Sequence, residues 1–192
     1  MIKWETRRCE PAEAFETLRA LKHEGYNMLV DLAGLDWLHL GRREKIASAD
    51  GEEYGTPKPR VERTPEEQAF FAPRPARFEV VYRLMKLDAE TGEDKGRVEV
   101  RCFVPDGPPV LHSAAVLWPI ADWLERELWD MFGVGFVDRP DIKRLYLYES
   151  FKGHPLRKDY PIAKRQPQIG PPSGAAPGNP SFNALKPWLR YD

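Results

Sequence analysis

The chain has 192 residues, 42% of them hydrophobic and 31% charged, and 29 Lys+Arg against 30 Asp+Glu leave a net charge of −1. That length suits one domain with an appendage, burying roughly two-thirds of its unfolded surface. The even charge excludes a protein that grips nucleic acid by its phosphates, which needs a basic excess or stripe.

Met1 to Cys9 lacks the apolar core of a signal peptide, and no later run approaches the roughly 20 apolar residues of a bilayer span. A cytoplasmic chain is expected, reaching a membrane only through partners. Glu10 to Glu24 reads as an amphipathic helix: Phe15, Leu18 and Leu21 recur at helical spacing, Pro11 suits its first turn and Gly25 its exit. Tyr26 to Leu32 follows as an apolar strand, with Gly34-Leu-Asp-Trp37 turning out of it. Residues 41–76 hold Pro57, Pro59, Pro65, Pro73 and Pro75, much charge and almost no apolar periodicity. Such a stretch buries too little to offset its ordering entropy, so a mobile insertion loop is expected.

Phe78 to Leu87 and Arg97 to Val104 form the clearest hairpin, linked through Thr91-Gly-Glu-Asp-Lys-Gly96. In its second strand Val98, Val100, Cys102 and Val104 share one side, and Arg97, Glu99 and Arg101 the other. Cys102 therefore reads as a small buried side chain. Cys9 and Cys102 are the two cysteines, with no Cys-x-x-Cys, and both are expected as reduced thiols.

A helix opens at Trp118-Pro119 and ends near Gly133. Ile120, Trp123, Leu124, Leu128 and Met131 share a broad face by helical phase, which places Glu127 in the middle of it. Trp129 and Phe132 lie opposite, so a partner is expected to cover the second flank. Glu127 and Asp130, one turn apart, pose an acid–base pair against the alternative that Arg126 and other basic groups neutralise them structurally. No nucleophile, phosphate cradle or metal-ligand spacing accompanies them, and His23, His39, His112 and His154 are scattered. The structural reading is favoured, and Glu127 is expected to meet a basic group, from this chain or from a partner. Pro161 to Asp192 carries seven prolines yet ends in Phe182, Leu185, Trp188, Leu189 and Tyr191, which suits an extended arm with aromatic anchors.

Glu125-Arg126-Glu127-Leu-Trp-Asp130-Met-Phe-Gly133, then Pro140-Asp-Ile-Lys143-Arg144-Leu145, resembles the signature of the C subunit of respiratory complex I, the 30 kDa family. Gly153-His-Pro-Leu-Arg-Lys-Asp-Tyr-Pro161 is similar to that family's closing motif nearly letter for letter, and weaker similarity runs upstream through Arg77-Phe-Glu-Val-Val-Tyr82, Arg97-Val-Glu-Val100 and Leu29-Val-Asp-Leu32. The resemblance implies an α+β fold: one domain of mixed or antiparallel sheet packed with helices over residues 1–162, then an extended docking arm over 163–192. It implies a non-catalytic peripheral-arm subunit of a proton-translocating NADH:quinone oxidoreductase, on the cytoplasmic side of the inner membrane. FMN, iron–sulfur clusters and quinone would belong to partner subunits, with none in this chain. The implied neighbours are the D subunit, which forms the quinone cavity with the B subunit, and other peripheral-arm members such as the I subunit.

The residues expected at subunit interfaces are Glu125, Arg126, Glu127, Trp129, Asp130 and Phe132 on the helix, with Arg139 after it. His154, Arg157, Lys158, Asp159 and Tyr160 follow in the closing motif, and Phe182, Trp188 and Tyr191 in the arm. Three departures from the family are visible. Arg139 stands where a His is usual, the loop 41–76 is long, and the segment before Glu10 is short. Competing readings are the equivalent subunit of a membrane-bound hydrogenase or ferredoxin-dependent complex, a stand-alone acid–base enzyme, and an assembly factor.

Overall fold

The computed structural model describes residues 4–38, 74–161 and 166–167. Strand β1 (Glu5–Cys9) leads through a 3-10 turn at Pro11–Glu13 into helix α1 (Ala14–His23). Strands β2 (Met28–Asp36), β3 (Phe78–Leu87) and β4 (Asp94–Val104) follow, then helix α2 (Ala121–Phe132). The sheet order is β1-β4-β3-β2; β1 runs parallel to β4 and the other pairs are antiparallel. The α+β architecture with a mixed sheet is as the sequence implies.

Alternation settles the sheet's two faces. Leu29, Leu32, Phe78, Val80, Tyr82, Leu84, Val98, Val100, Cys102 and Val104 are all buried and belong to one core cluster. Leu18 and Leu21 of α1 and Leu128 of α2 complete it. The apolar helical stripe and the period-2 strands are thus halves of one core. Phe15, expected on the same stripe, is half-buried and meets His112 edge-on at 6.0 Å between centroids.

The opposite face of the sheet is a charged ladder. Asp31 contacts Arg83 at 3.5 Å, Arg83 contacts Glu99 at 3.1 Å, Glu99 contacts Arg101 at 2.6 Å, and Arg101 contacts Glu79 at 2.9 Å. Glu79 and Glu99 are themselves buried. Asp31, Arg83 and Glu99 are register partners across strands, and Arg101 links Glu99 on its own strand to Glu79 diagonally on the next.

Several boundaries differ from expectation. β2 starts later and runs through Gly34 to Asp36 instead of turning there. Gly34 serves close packing: a Cβ on it would lie 2.4 Å from Leu128 Cδ1 and 2.9 Å from Phe132 Cδ2. The helix sits on the strand at that point. The turn between β3 and β4 centres on Asp88 to Gly92, where Asp88 Oδ1 accepts from the amides of Glu90 and Thr91, each at 3.0 Å, and Gly92 takes φ +70°. β1 carries no apolar alternation that marks it, since as an edge strand it half-buries only Arg7 and Cys9.

The buried side of α2 is also rotated from the expected one. Ala121, Glu125, Leu128 and Asp130 are buried, whereas Ile120 is 50% and Trp123 55% exposed. Glu127 is half-buried, not in the middle of a buried face, and makes no ion pair among the described residues of this chain. The largest apolar residues do not set the phase of α2; the helix turns Ala121, Leu128 and two carboxylates inward, because those carboxylates find donors there.

Candidate functional site

Among the described residues after β4, α2 is the one long regular element, and three buried carboxylates tie the rest down. Backbone polar groups of irregular segments must find partners, and charged acceptors are strong ones.

Glu125 is the first anchor. Its Oε2 accepts from Ser113 Oγ at 2.7 Å and from Arg139 Nη1 at 3.0 Å, and its Oε1 accepts from the Ala114 amide at 2.7 Å. Arg139 also donates to Asp122. Burial pushes the Glu125 carboxyl above its ordinary pKa, and Ser113, Arg139 and the Ala114 amide draw it back only in part.

Asp130 is the second. Oδ1 accepts from Arg144 Nη1 at 2.7 Å, and Oδ2 from three consecutive amides, Leu145 at 3.0 Å and Tyr146 and Leu147 at 2.9 Å. Burial again pushes the carboxyl up, but the Leu147 amide, the Arg144 guanidinium and the other two amides outweigh it, leaving it below the usual carboxylate range. Arg144 continues to the carbonyls of Phe151 at 3.0 Å and Gly153 at 3.2 Å, and its guanidinium lies 5.3 Å from the Trp129 ring centre.

The third anchor lies at the end of β2. Asp36 accepts from Arg77 Nη2 at 3.0 Å and Nε at 3.2 Å, from the Lys158 amide at 2.8 Å and from the Leu38 amide at 2.9 Å. Burial raises its pKa, and Arg77 with the two amides more than reverses that. Arg77 reaches Asp106 and Asp159 as well, each at 2.6 Å.

The closing motif is therefore spent largely on its own chain. His154 Nδ1 sits 3.0 Å from the Asp130 carbonyl, and its ring meets Trp129 edge-on. Arg157 donates to the Phe132 carbonyl and lies over the Phe78 ring. Gly133 ends α2 at φ +71°, and a Cβ there would come within 2.6 Å of His154 and 2.8 Å of Arg157, so both conformation and space require glycine. Lys158 contributes its backbone while its side chain is exposed, and Tyr160 stacks on Phe151 at 6.1 Å. Arg126 donates to the carbonyls of Lys143 at 3.1 Å and Arg144 at 2.8 Å and lies over Trp123.

Of the residues marked from sequence, the structure brings Glu125 with Arg139, and Asp130 with Trp129 and His154, into two clusters. Phe132 and Arg157 meet where the Arg157 guanidinium donates to the Phe132 carbonyl. Glu127 stands apart, and Phe182, Trp188 and Tyr191 lie outside the described residues. Asp36, Arg77, Ser113 and Arg144 were not marked. An aspartate closing an apolar strand and an arginine just before the next one were the available signals for Asp36 and Arg77.

The acid–base reading finds no geometry. Asp130 is fully buried with four donors on it, and Glu127 has no partner among the described residues. Among the described residues no group of three or more His, Cys, Asp or Glu is placed to hold a metal ion, and no helix is long and apolar enough to cross a membrane. Among charged neighbours such as Asp138, Lys143 and Lys152, the anchored segment also exposes large apolar side chains: Trp123, Tyr146 at 66%, Val137 at 50% and Leu156 at 51% exposure.

The sequence model of the family described as respiratory-chain NADH dehydrogenase, 30 Kd subunit, matches residues 7–166. The chain belongs to this family. It is 35% identical over 155 residues to NADH-quinone oxidoreductase subunit 5 of Thermus thermophilus, covering 80% of this chain and 60% of that one. The C subunit of the Legionella pneumophila NADH-quinone oxidoreductase is 34% identical over 146 residues, covering 76% and 60%. The chain thus spans about 60% of the length of these curated relatives. A solved structure of a trypsin-resistant fragment of Nqo5 superposes with a TM-score of 0.50 at 31% identity, covering 71% of this chain and 80% of that one. For a 30 kDa-family chain, the match takes in β4, α2 and the anchored segment beyond them.

Proposed function

We propose that this chain is a structural, non-catalytic subunit of the peripheral arm of a proton-translocating NADH:quinone oxidoreductase, with no part of its own in the NADH-to-quinone reaction. It sits beside the D subunit near the quinone site, with the B and I subunits among its neighbours, and is held to the cytoplasmic face of the membrane through the complex. FMN, iron–sulfur clusters and quinone reside in those partner subunits. The observation that carries this reading is the division of labour in residues 111–161. Glu125, Arg126, Asp130 and Arg144 are spent on backbone amides and carbonyls of their own chain, while Trp123, Tyr146 and Leu156 are exposed. Exposed aromatic side chains on a pinned segment suit a protein interface, where such residues carry much of the binding energy. Membership of the family and relatives named as NADH-quinone oxidoreductase subunits support this choice of complex.

The test is affinity purification of the tagged chain from native membranes, followed by identification of the co-purifying chains. Complex I-type subunits, including the flavin-binding ones, are the expected company. Hydrogenase subunits in place of the flavin-binding set would replace NADH as the donor, and recovery as a lone monomer would overturn the proposal.

A further inference from the structure

Cys9 and Cys102 stand opposite each other at the last rung of the β1–β4 ladder. Neighbouring strands lie about 4.8 Å apart, inside the Cα separation of roughly 4.4–6.8 Å that a disulfide spans. Partners in a parallel ladder point to the same face, so the two thiols lie side by side on the core side of the sheet. They differ in access: Cys102 is fully buried in the core, while Cys9, at the edge of the sheet, is half-buried. One thiol is placed to meet a reagent and the other to resolve the product.

We propose that Cys9 and Cys102 are a reversible dithiol–disulfide site, oxidised by small uncharged hydroperoxides. The Cys9 thiolate attacks the distal peroxide oxygen, breaking the O–O bond; the departing alkoxide or hydroxide takes up the thiol proton, and Cys9 is left as a sulfenic acid. The Cys102 sulfur then attacks the Cys9 sulfur. The S–O bond breaks, the released hydroxide takes the Cys102 proton as water, and the S–S bond forms. In sum, two thiols lose two electrons and two protons, and the peroxide becomes an alcohol, or water, plus water. A thiol later returns the pair to the reduced state.

The electrostatics support these roles. The hydrogen bond from Cys102 lowers the Cys9 pKa, against burial and the nearby Glu13 and Glu10 carboxylates, which raise it. The Cys102 pKa is driven up by the same contact and by burial, so Cys9 is the thiol of the pair that ionises first. Glu10 and Glu13 also disfavour anionic oxidants such as glutathione disulfide, which selects neutral peroxides. The bridge would staple edge strand β1, held otherwise by one ladder, to the sheet's interior.

The full chain, purified under reducing conditions, is treated with hydrogen peroxide, quenched, alkylated in denaturant and mapped by mass spectrometry. A Cys9–Cys102 linked peptide that dithiothreitol removes is the expected product, with the melting temperature raised by about 5 °C. Cys102→Ser should trap Cys9 as a sulfenic acid that dimedone labels, and Cys9→Ser should leave Cys102 unmodified in the folded chain. Conversion of wild-type Cys9 to sulfinic acid with Cys102 still free would overturn the proposal. So would linkage only between chains through Cys9, or no reaction at either thiol while the chain is folded.

Discussion

Asp130 and Arg144 meet at 2.7 Å, and the same carboxylate caps the amides of Leu145, Tyr146 and Leu147 just beyond that arginine. One side chain at the end of α2 thus fixes the direction of an otherwise irregular chain. Asp130→Asn keeps the shape but removes the charge and turns two donors toward partners that are donors themselves. A loss of about 3 kcal/mol is expected, as for a buried pair broken on one side. Urea denaturation measures it; an unchanged midpoint would mean that Arg144 holds the segment without its carboxylate.

Acid should act on the three anchors in opposite directions. Asp36 and Asp130 have pKa values below their unfolded ones, so their stabilisation is present above the ordinary carboxylate pKa and disappears as pH falls through the depressed folded values. Glu125 is raised by burial, so its folded state holds a proton that the unfolded chain has released. Between its ordinary pKa and that raised value, stability falls as pH rises. Glu125→Gln removes this component, and the stability of that variant should be flatter between pH 5 and 7 than that of the parent, about the ordinary carboxylate range upward. Matching pH profiles for the two proteins would show that Arg139 fully compensates the burial of Glu125.

Much of the fold was legible because periodicity reports burial. The hairpin faces and the Leu18 and Leu21 stripe follow from spacing alone. α2 was misphased because its inward face carries Glu125 and Asp130, and spacing rules count carboxylates as outward. Whether a carboxylate is inside depends on donors from Ser113, Arg139, Arg144 and three amides, distant in sequence and joined only by folding. The β1 strand was missed for a related reason, since its edge position leaves its residues polar. Gly34 was misread as a turn because a glycine that admits a helix looks the same in sequence as one that bends a chain.

Two glycines should fail for different reasons. Gly34→Ala keeps an acceptable backbone but drives a methyl group into Leu128 and Phe132. Overpacking of this kind costs about 1–3 kcal/mol. A compensating Leu128→Ala should recover part of the loss, since the Cβ would meet Leu128 Cδ1 first, at 2.4 Å. Gly133→Ala adds a left-handed backbone to contacts with His154 and Arg157, and no single neighbour change should restore it. Thermal melts of the two single variants and the Gly34/Leu128 double variant separate these cases.

Glu125 and Glu127, two residues apart, should respond differently to loss of charge. Glu125→Leu strands Arg139 and the Ser113–Ala114 donors in a buried site, so a loss of about 3 kcal/mol is expected. Glu127→Leu removes no ion pair among the described residues and should change stability by no more than about 0.5 kcal/mol. Equal losses in chemical denaturation would mean that α2 does not turn Glu125 inward and Glu127 away.

The arm expected over residues 163–192 begins with contacts that belong to the domain. Gln166 accepts from the Lys152 amide at 2.9 Å and donates to its carbonyl at 3.1 Å, and Tyr148 donates to the Pro167 carbonyl at 2.8 Å. These bonds are exposed, and about 1–2 kcal/mol in total is a fair scale for them. Truncation after Ile162 removes them all, and the melting temperature should drop by about 3–6 °C for a domain of this size. Truncation after Pro167 keeps them and should leave the melting temperature within about 2 °C. Both variants lose Phe182, Trp188 and Tyr191, the proposed aromatic anchors, so both should be recovered poorly with the membrane complex. If the chain cut after Pro167 assembles as well as the full chain, the anchors contribute nothing and the interface lies wholly on the folded domain, with Trp123 and Tyr146 the residues to substitute next.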